Sequence, residues 1–300
     1  ATGETLCTTT CVNTQTSATN CGACGNACAV GSTCVAGVCR AVAPTNDAPA
    51  DAITINMALP QSTFTVNTAS ATNHTTGPTG CTCTAGPDVF YNFTVPSTGP
   101  EIIYADTLGS TWDTSLFVQT ATGTNIVTSG LPSGGAFCND DGGLAGCSTG
   151  TQSQILLRLD PGSYRLVVSG CGGGGGTNVR FQHAPVGVGA LNFLAAGMSA
   201  PMGNTAGTGP GRVNLGCNGG SREDTYYWYT CPSFVMSPFT ASTCGGATWD
   251  TSLSQYSPGR PTPNTCADDS CSLQSSVMST LPPGAGLHTL YVDGFGTNSG

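Results

Sequence analysis

The amino-acid sequence predicts an all-β protein, with two tandem β-sandwiches behind a small disulfide-rich N-terminal module. Three observations carry this expectation. Hydrophobic residues make up 38% of the chain and fall in short runs broken by its 43 Gly and 19 Pro. That is the pattern of short strands joined by turns. A set of landmarks occurs twice in the same order, as expected of a duplicated domain. Seventeen cysteines exceed what a reducing compartment usually holds outside metal clusters.

The N-terminal module is expected over residues 1–42. It carries Cys7, Cys11, Cys21, Cys24, Cys28, Cys34 and Cys39 with few apolar side chains, so covalent staples must replace a core. Cys21-x-x-Cys24 with Cys34 and Cys39 also has the spacing of a zinc knuckle, but disulfides are the expectation in a secreted chain. A Pro- and Ala-containing linker, Ala41 to Ala50, follows.

The first sandwich is expected over 43–186 and the second over 187–300. Asp88-Val-Phe-Tyr-Asn-Phe-Thr-Val95 alternates like a half-buried strand, and Asp224-Thr-Tyr-Tyr-Trp-Tyr-Thr230 repeats it in register. Thr-Trp-Asp-Thr-Ser-Leu occurs at 111–116 and again at 248–253. Cys-Asn-Asp-Asp at 138–141 returns as Cys-Ala-Asp-Asp at 266–269. Tyr164 to Gly170 returns as His288 to Gly294, and Cys81 and Cys217 stand equally far before their strands. Leu157 to Leu159 and Tyr164 to Val168, joined by Asp160-Pro-Gly, read as a hairpin. Thr177 to His183 reads as a closing strand of the first copy. The second copy shows no counterpart before Gly300, so its final strand is expected to be missing.

These landmarks resemble the bacterial pre-peptidase C-terminal domain over roughly residues 50–300. Asp88, Phe90, Trp112, Asp113, Asn139, Asp140, Asp141, Tyr164 and Val168 match in copy one. Asp224, Tyr226, Trp249, Asp250, Asp268, Asp269 and Val292 match in copy two, where Ala267 and His288 depart from the pattern. The resemblance implies two tandem jelly-roll-like β-sandwiches, secreted and non-catalytic, of a kind often attached to hydrolases; some relatives bind calcium and fibrous substrates. The run from Cys11 to Cys39 resembles a cysteine repeat of secreted proteins from predatory, gliding bacteria.

Charge narrows the partners. Seven cations, all Arg, face sixteen acidic residues, a net charge of -9. Nucleic acid needs clustered cations, and anionic lipid needs a polybasic patch. No apolar stretch reaches the length of a membrane span. Ala1 in place of Met fits removal of a signal peptide. The expected location is secreted or cell-surface.

The candidate metal ligands are Asp113, Asn139, Asp140 and Asp141 in copy one, and Asp250, Asp268 and Asp269 in copy two. Calcium takes six to eight oxygens, and acidic loops brought together would supply several. The competing reading is that Asp and Asn side chains cap their own turns, as is also expected of Asp88 and Asp224. Cys138 with Cys147, and Cys266 with Cys271, are expected to pair as local staples across the acidic turns. An odd cysteine count leaves one thiol for an intermolecular bridge or a buried free position. Tyr226 and Trp228 are expected to share one strand face as a binding platform, unless a neighbouring domain covers it. Asn73-His-Thr75 is an exposed glycosylation sequon and Asn92-Phe-Thr94 a less accessible one.

No nucleophile elbow or metalloprotease motif is present, and the histidines are His74, His183 and His288 alone. The expectation is a non-catalytic protein. One form is a structural or adhesive subunit that binds other copies of itself in a fibre by strand addition. The other is an accessory region of a secreted hydrolase that binds extracellular polysaccharide or protein.

Overall fold

The computed structural model describes residues 4–29, 32–81, 83, 85–147, 150–195, 203–206, 211–212, 217, 220 and 222–300. Among these, the fold is all-β, with a single 3-10 turn at Pro49–Asp51. In the N-terminal module, β1 (Glu4–Cys7) pairs with β2 (Thr10–Asn13), and β3 (Ser32–Val35) pairs with β4 (Val38–Ala41). Cys7–Cys24, Cys21–Cys34 and Cys28–Cys39 tie strands of the two hairpins to the loop between them. The cysteines with zinc-like spacing are therefore all spent in disulfides.

Copy one contains β5 (Ile53–Thr54), β6 (Gln61–Asn67), β7 (Asp88–Val95), β8 (Glu101–Asp106), β9 (Thr114–Thr120), β10 (Cys138–Asn139), β11 (Gln154–Leu159), β12 (Gly162–Gly170) and β13 (Gly176–Pro185). They form two sheets, ordered β10-β9-β12-β7-β5 and β11-β8-β13-β6. Val89, Tyr91 and Phe93 from one sheet meet Ile103, Ile155, Leu157, Val179 and Phe181 from the other in a closed core. Burying aliphatic and aromatic faces of this kind contributes about 1.5–3 kcal/mol per side chain. The expected hairpin of β11 and β12 is an arch instead. The two strands lie in different sheets, because Leu157 and Leu166 approach the same core from opposite sides.

Copy two contains β14 (Leu191–Phe193), β15 (Asp224–Thr230), β16 (Ser237–Ser242), β17 (Thr251–Tyr256), β18 (Thr265–Ala267), β19 (Ser276–Leu281) and β20 (Gly286–Gly294). Its first sheet, β14-β15-β20-β17-β18, reproduces that of copy one, including a parallel edge strand. Its second sheet holds β16 and β19 alone among the described residues.

The two copies are not in the register that their landmarks suggest. Val168 lies opposite Val89 in copy one, whereas the equivalent Val292 lies opposite Asp224 in copy two. The β15 strand is thus shifted by one residue, and a one-residue slip exchanges the faces of a strand. Tyr226 and Trp228 therefore occupy the core positions of Tyr91 and Phe93. Tyr227 and Tyr229 point the other way, into an apolar seam with Ile102, Tyr104 and Leu156 of copy one.

Candidate functional site: the acidic corners and the unpaired edge of β16

The acidic turns do meet the Trp-Asp-Thr loops. Burial pushes the Asp113 carboxyl up, and the nearby Asp141 and Asp140 carboxylates push it further. Asp250 is raised in the same way by burial and then by Asp269 and Asp268. Asp113 Oδ1 and Asp250 Oδ1 are enclosed with no hydrogen-bond partner. The same orphaned oxygen thus occurs at equivalent places in both copies, and an unsatisfied buried acceptor of this kind has a cost.

The other members are partly spent on the turn itself. Asn139 Oδ1 accepts the Gln154 N–H at 2.9 Å, and its amide donates to the Asp141 carbonyl at 3.0 Å. Asn139 organises the turn and is not a free ligand. Asp140 Oδ1 accepts the Asp141 N–H, and Asp268 Oδ1 accepts the Asp269 N–H, both at 2.9 Å. A carboxylate oxygen of Asp140 also lies within 4.8 Å of the Cys83 and Cys171 sulfurs. What remains suits a hard cation. Three carboxylates per corner repel one another, and one of them carries an orphaned oxygen. Asp113, Asp140 and Asp141, or Asp250, Asp268 and Asp269, are the oxygen donors each corner could offer to a cation such as calcium.

The disulfides around these corners differ from the expected staples. Cys138 bonds Cys81 and Cys266 bonds Cys217, the same bridge in each copy. Cys271 bonds Cys244, Cys171 bonds Cys83, and Cys147 bonds Cys231 across the two sandwiches. Each copy holds five cysteines, and an odd number in both is the sequence signal for a bridge between them. The remaining cysteine, Cys11, is free and exposed, so a buried free thiol is excluded.

The aromatic platform is absent. Tyr226 is 4% exposed and Trp228 9%, with Trp228 stacked between Phe239 and His288 at 5.0 and 5.2 Å. Each face of β15 is covered, one by its own core and one by copy one. Asp88 and Asp224 behave as the expected caps. Asp88 accepts the His74 and Thr75 N–H groups at 3.1 and 3.0 Å, and Asp224 accepts those of Ala190 and Asn204 at 2.6 and 2.7 Å. Asn73 is exposed in a loop, while Asn92 accepts a hydrogen bond from Arg165 at 3.3 Å.

The largest departure from copy one is at β16. In copy one, β8 is flanked by β11 and β13. The pairings Thr107 N to Ser153 O and Val186 N to Pro100 O show that alternate β8 residues face the two neighbours. The pairing Thr243 N to Ser275 O fixes the same alternation in β16. Pro238, Thr240 and Ser242 therefore turn their backbone groups to the side where copy one holds β13, and no described strand lies there. Phe239 and Ala241 are only half-buried. Among the described residues the core of copy two is correspondingly smaller, with six buried hydrophobic residues against seventeen in copy one. Gly300 reproduces the place of Gly175: its carbonyl accepts the Thr205 N–H at 2.9 Å, as that of Gly175 accepts the Thr68 N–H at 3.0 Å.

Comparison with known proteins adds a family at one end. Residues 1–45 match the stigma-specific STIG1-like protein family. The match covers the cysteine-rich region alone. With its eight disulfides, it supports an extracellular protein, since such bonds persist in oxidising compartments. No curated protein matches. A solved structure described as "Structure of PNGF-II in P21 space group" aligns at 12% identity and a TM-score of 0.19. The alignment covers 78% of this chain and 62% of that one, and a likeness at that level carries no argument. No helix among the described residues is long and apolar enough to cross a membrane.

Proposed function

We propose that this chain is a non-catalytic extracellular structural or adhesive subunit that assembles by accepting a β-strand from a neighbouring copy along β16. The single observation that carries the reading is the one-sided pairing of β16 among the described residues, where the other sandwich fills the same position. An unpaired strand edge is a template for another chain. Strand addition draws its affinity from main-chain hydrogen bonds and its specificity from alternate side chains. In copy one, Val179 and Phe181 of β13 enter the core. A donor strand would present an apolar residue at the same two positions, over Phe239 and Ala241. The resemblance of residues 50–300 to pre-peptidase C-terminal domains is compatible with a surface role and brings no catalytic residues. Calcium at the two acidic corners adds a stiffening element to the same reading.

Thr240→Pro tests the proposal. Thr240 faces the open side, so the substitution removes an edge N–H without breaking a bond to β19. The expected result is an unchanged melting temperature with assembly abolished, read by light scattering and electron microscopy. Assembly by Thr240→Pro at the wild-type rate would refute strand addition at this edge. A wild-type protein that stays monomeric at high concentration would count against assembly itself.

A further inference from the structure

A cleft of about 320 Å³ lies between the two sandwiches. This is within the range of ligand-holding clefts, which favour domain boundaries. Pro60, His183 and Pro185 line it from copy one, and Tyr256, Arg260 and Pro261 from copy two. Leu287 and the ring of Tyr291 complete an apolar wall. Arg212 closes the back.

Its charge is opposite to that of the molecule. Two of the seven Arg and one of the three His line this one cleft, and no acidic residue does. Behind the wall, buried Glu101 binds Arg212 at 2.8 Å and His183 Nδ1 at 3.1 Å. Arg212 is spent there and on the Gly99, Pro100 and Val186 carbonyls. His183 Nε2 is spent on the Leu59 carbonyl at 3.0 Å. Arg260 differs. It is exposed, and its guanidinium has neither a hydrogen bond nor an ion pair among the described residues. The half-buried Tyr256 phenol likewise has no hydrogen-bond partner there, while its ring is held edge-on by Tyr291 at 5.6 Å. The cleft thus offers a planar cation and a hydroxyl beside a rigid ring and proline walls.

We propose that this cleft binds a carboxylated pyranose of an acidic extracellular polysaccharide. The sugar carboxylate would sit on the Arg260 fork, which matches carboxylate geometry. The apolar face of the ring would lie on Tyr256 and the prolines. The net charge of -9 does not forbid this, because charges farther than about 8 Å are largely screened at physiological salt. The site is separate from the β16 edge and stands or falls independently of strand addition.

The test is affinity electrophoresis of the full chain through gels containing polygalacturonate, dextran or polyglutamate. The expected result is retardation by polygalacturonate alone, lost in 0.5 M salt. Arg260→Ala should weaken it about tenfold, the value of one charge-assisted pair, with an unchanged melting temperature. Arg40→Ala, remote in β4, should leave it unchanged. Absence of retardation by polygalacturonate would overturn the proposal. So would equal retardation by dextran or polyglutamate, or equal weakening by Arg40→Ala.

Discussion

His288 is the residue at which the two copies differ most in chemistry. It stands where copy one has Tyr164, is 1% exposed, and stacks flat on Trp228 at 5.2 Å. Its Nε2 reaches Thr230 Oγ1 at 3.2 Å, and its Nδ1 has no partner. Burial pushes it down to about 3. The folded state therefore holds the neutral ring, while the unfolded chain takes up a proton below about 6.5. The stability this group confers is complete above that value and is lost as pH falls from 6.5 toward 3, about 3 kcal/mol by pH 4. Asp88 acts in the opposite sense. Burial raises it to about 6 despite its two backbone N–H bonds. The fold therefore favours its protonated form, and stability present in acid is lost as pH rises through the range from about 4 to 6. Wild-type stability alone will hide both effects, so the informative quantity is a difference between variants. His288→Phe keeps the stack on Trp228 and should remove the acid-dependent loss, seen as a smaller fall in melting temperature from pH 7 to pH 4. An unchanged fall would show that His288 is not the titrating group. The acidic corners make a second residue-scale prediction. Calcium should raise the melting temperature of the wild type and leave that of an Asp113→Asn/Asp250→Asn double variant unmoved. Equal responses would remove the corners as calcium ligands.

At the scale of strands, legibility followed alternation. The alternating strand at 88–95 placed Val89, Tyr91 and Phe93 on one face, and they share one core. Tyr226 to Tyr229 are four consecutive aromatics, which carry no period of two to say which pair faces inward. Their register is set by β20, through the pairing of Asp224 with Val292, and no local pattern encodes that. The arch between β11 and β12 was lost for a related reason. A Pro-Gly turn reverses the chain equally well within a sheet or between sheets, and only the shared core decides. The disulfides were legible in part. Cys81 and Cys138 recur as Cys217 and Cys266, and residues duplicated together should bond together, but nearness in sequence favours the wrong pairs. Of the candidate site, the meeting of Asp113 with Asp140 and Asp141 was readable from their recurrence. The consumption of Asn139 by Gln154 was not, because it depends on a strand fifteen residues away. The register also has a measurable consequence. Trp228→Ala should cost about 3–5 kcal/mol, as for a large core deletion, in chemical denaturation. A cost below about 1 kcal/mol would return Trp228 to the surface.

In the whole molecule, the seam decides whether two sandwiches behave as one body. Tyr227 is fully buried between them. Tyr229 and Tyr291 donate to the Ala145 and Pro185 carbonyls of copy one, each at 2.7 Å, and the Leu287 N–H reaches Gln182 Oε1 at 2.9 Å. The Cys147–Cys231 bridge closes 84 residues of chain. A loop of that length is worth about 4.5 kcal/mol in the chain-entropy account, through the unfolded state. The bridge and the seam should therefore separate experimentally. Replacing both Cys147 and Cys231 by Ser should lower the melting temperature while leaving one cooperative transition, because the packed tyrosines remain. Tyr227→Ala opens a cavity at the centre of the seam and should split unfolding into two transitions, with copy two melting first because its core is smaller. If the double Ser variant also melts in two steps, coupling resides in the covalent bond. The distinction matters for assembly. A strand docked on β16 passes its force to copy one across the seam, so a seam that holds without the bridge would let the whole chain carry load as one unit.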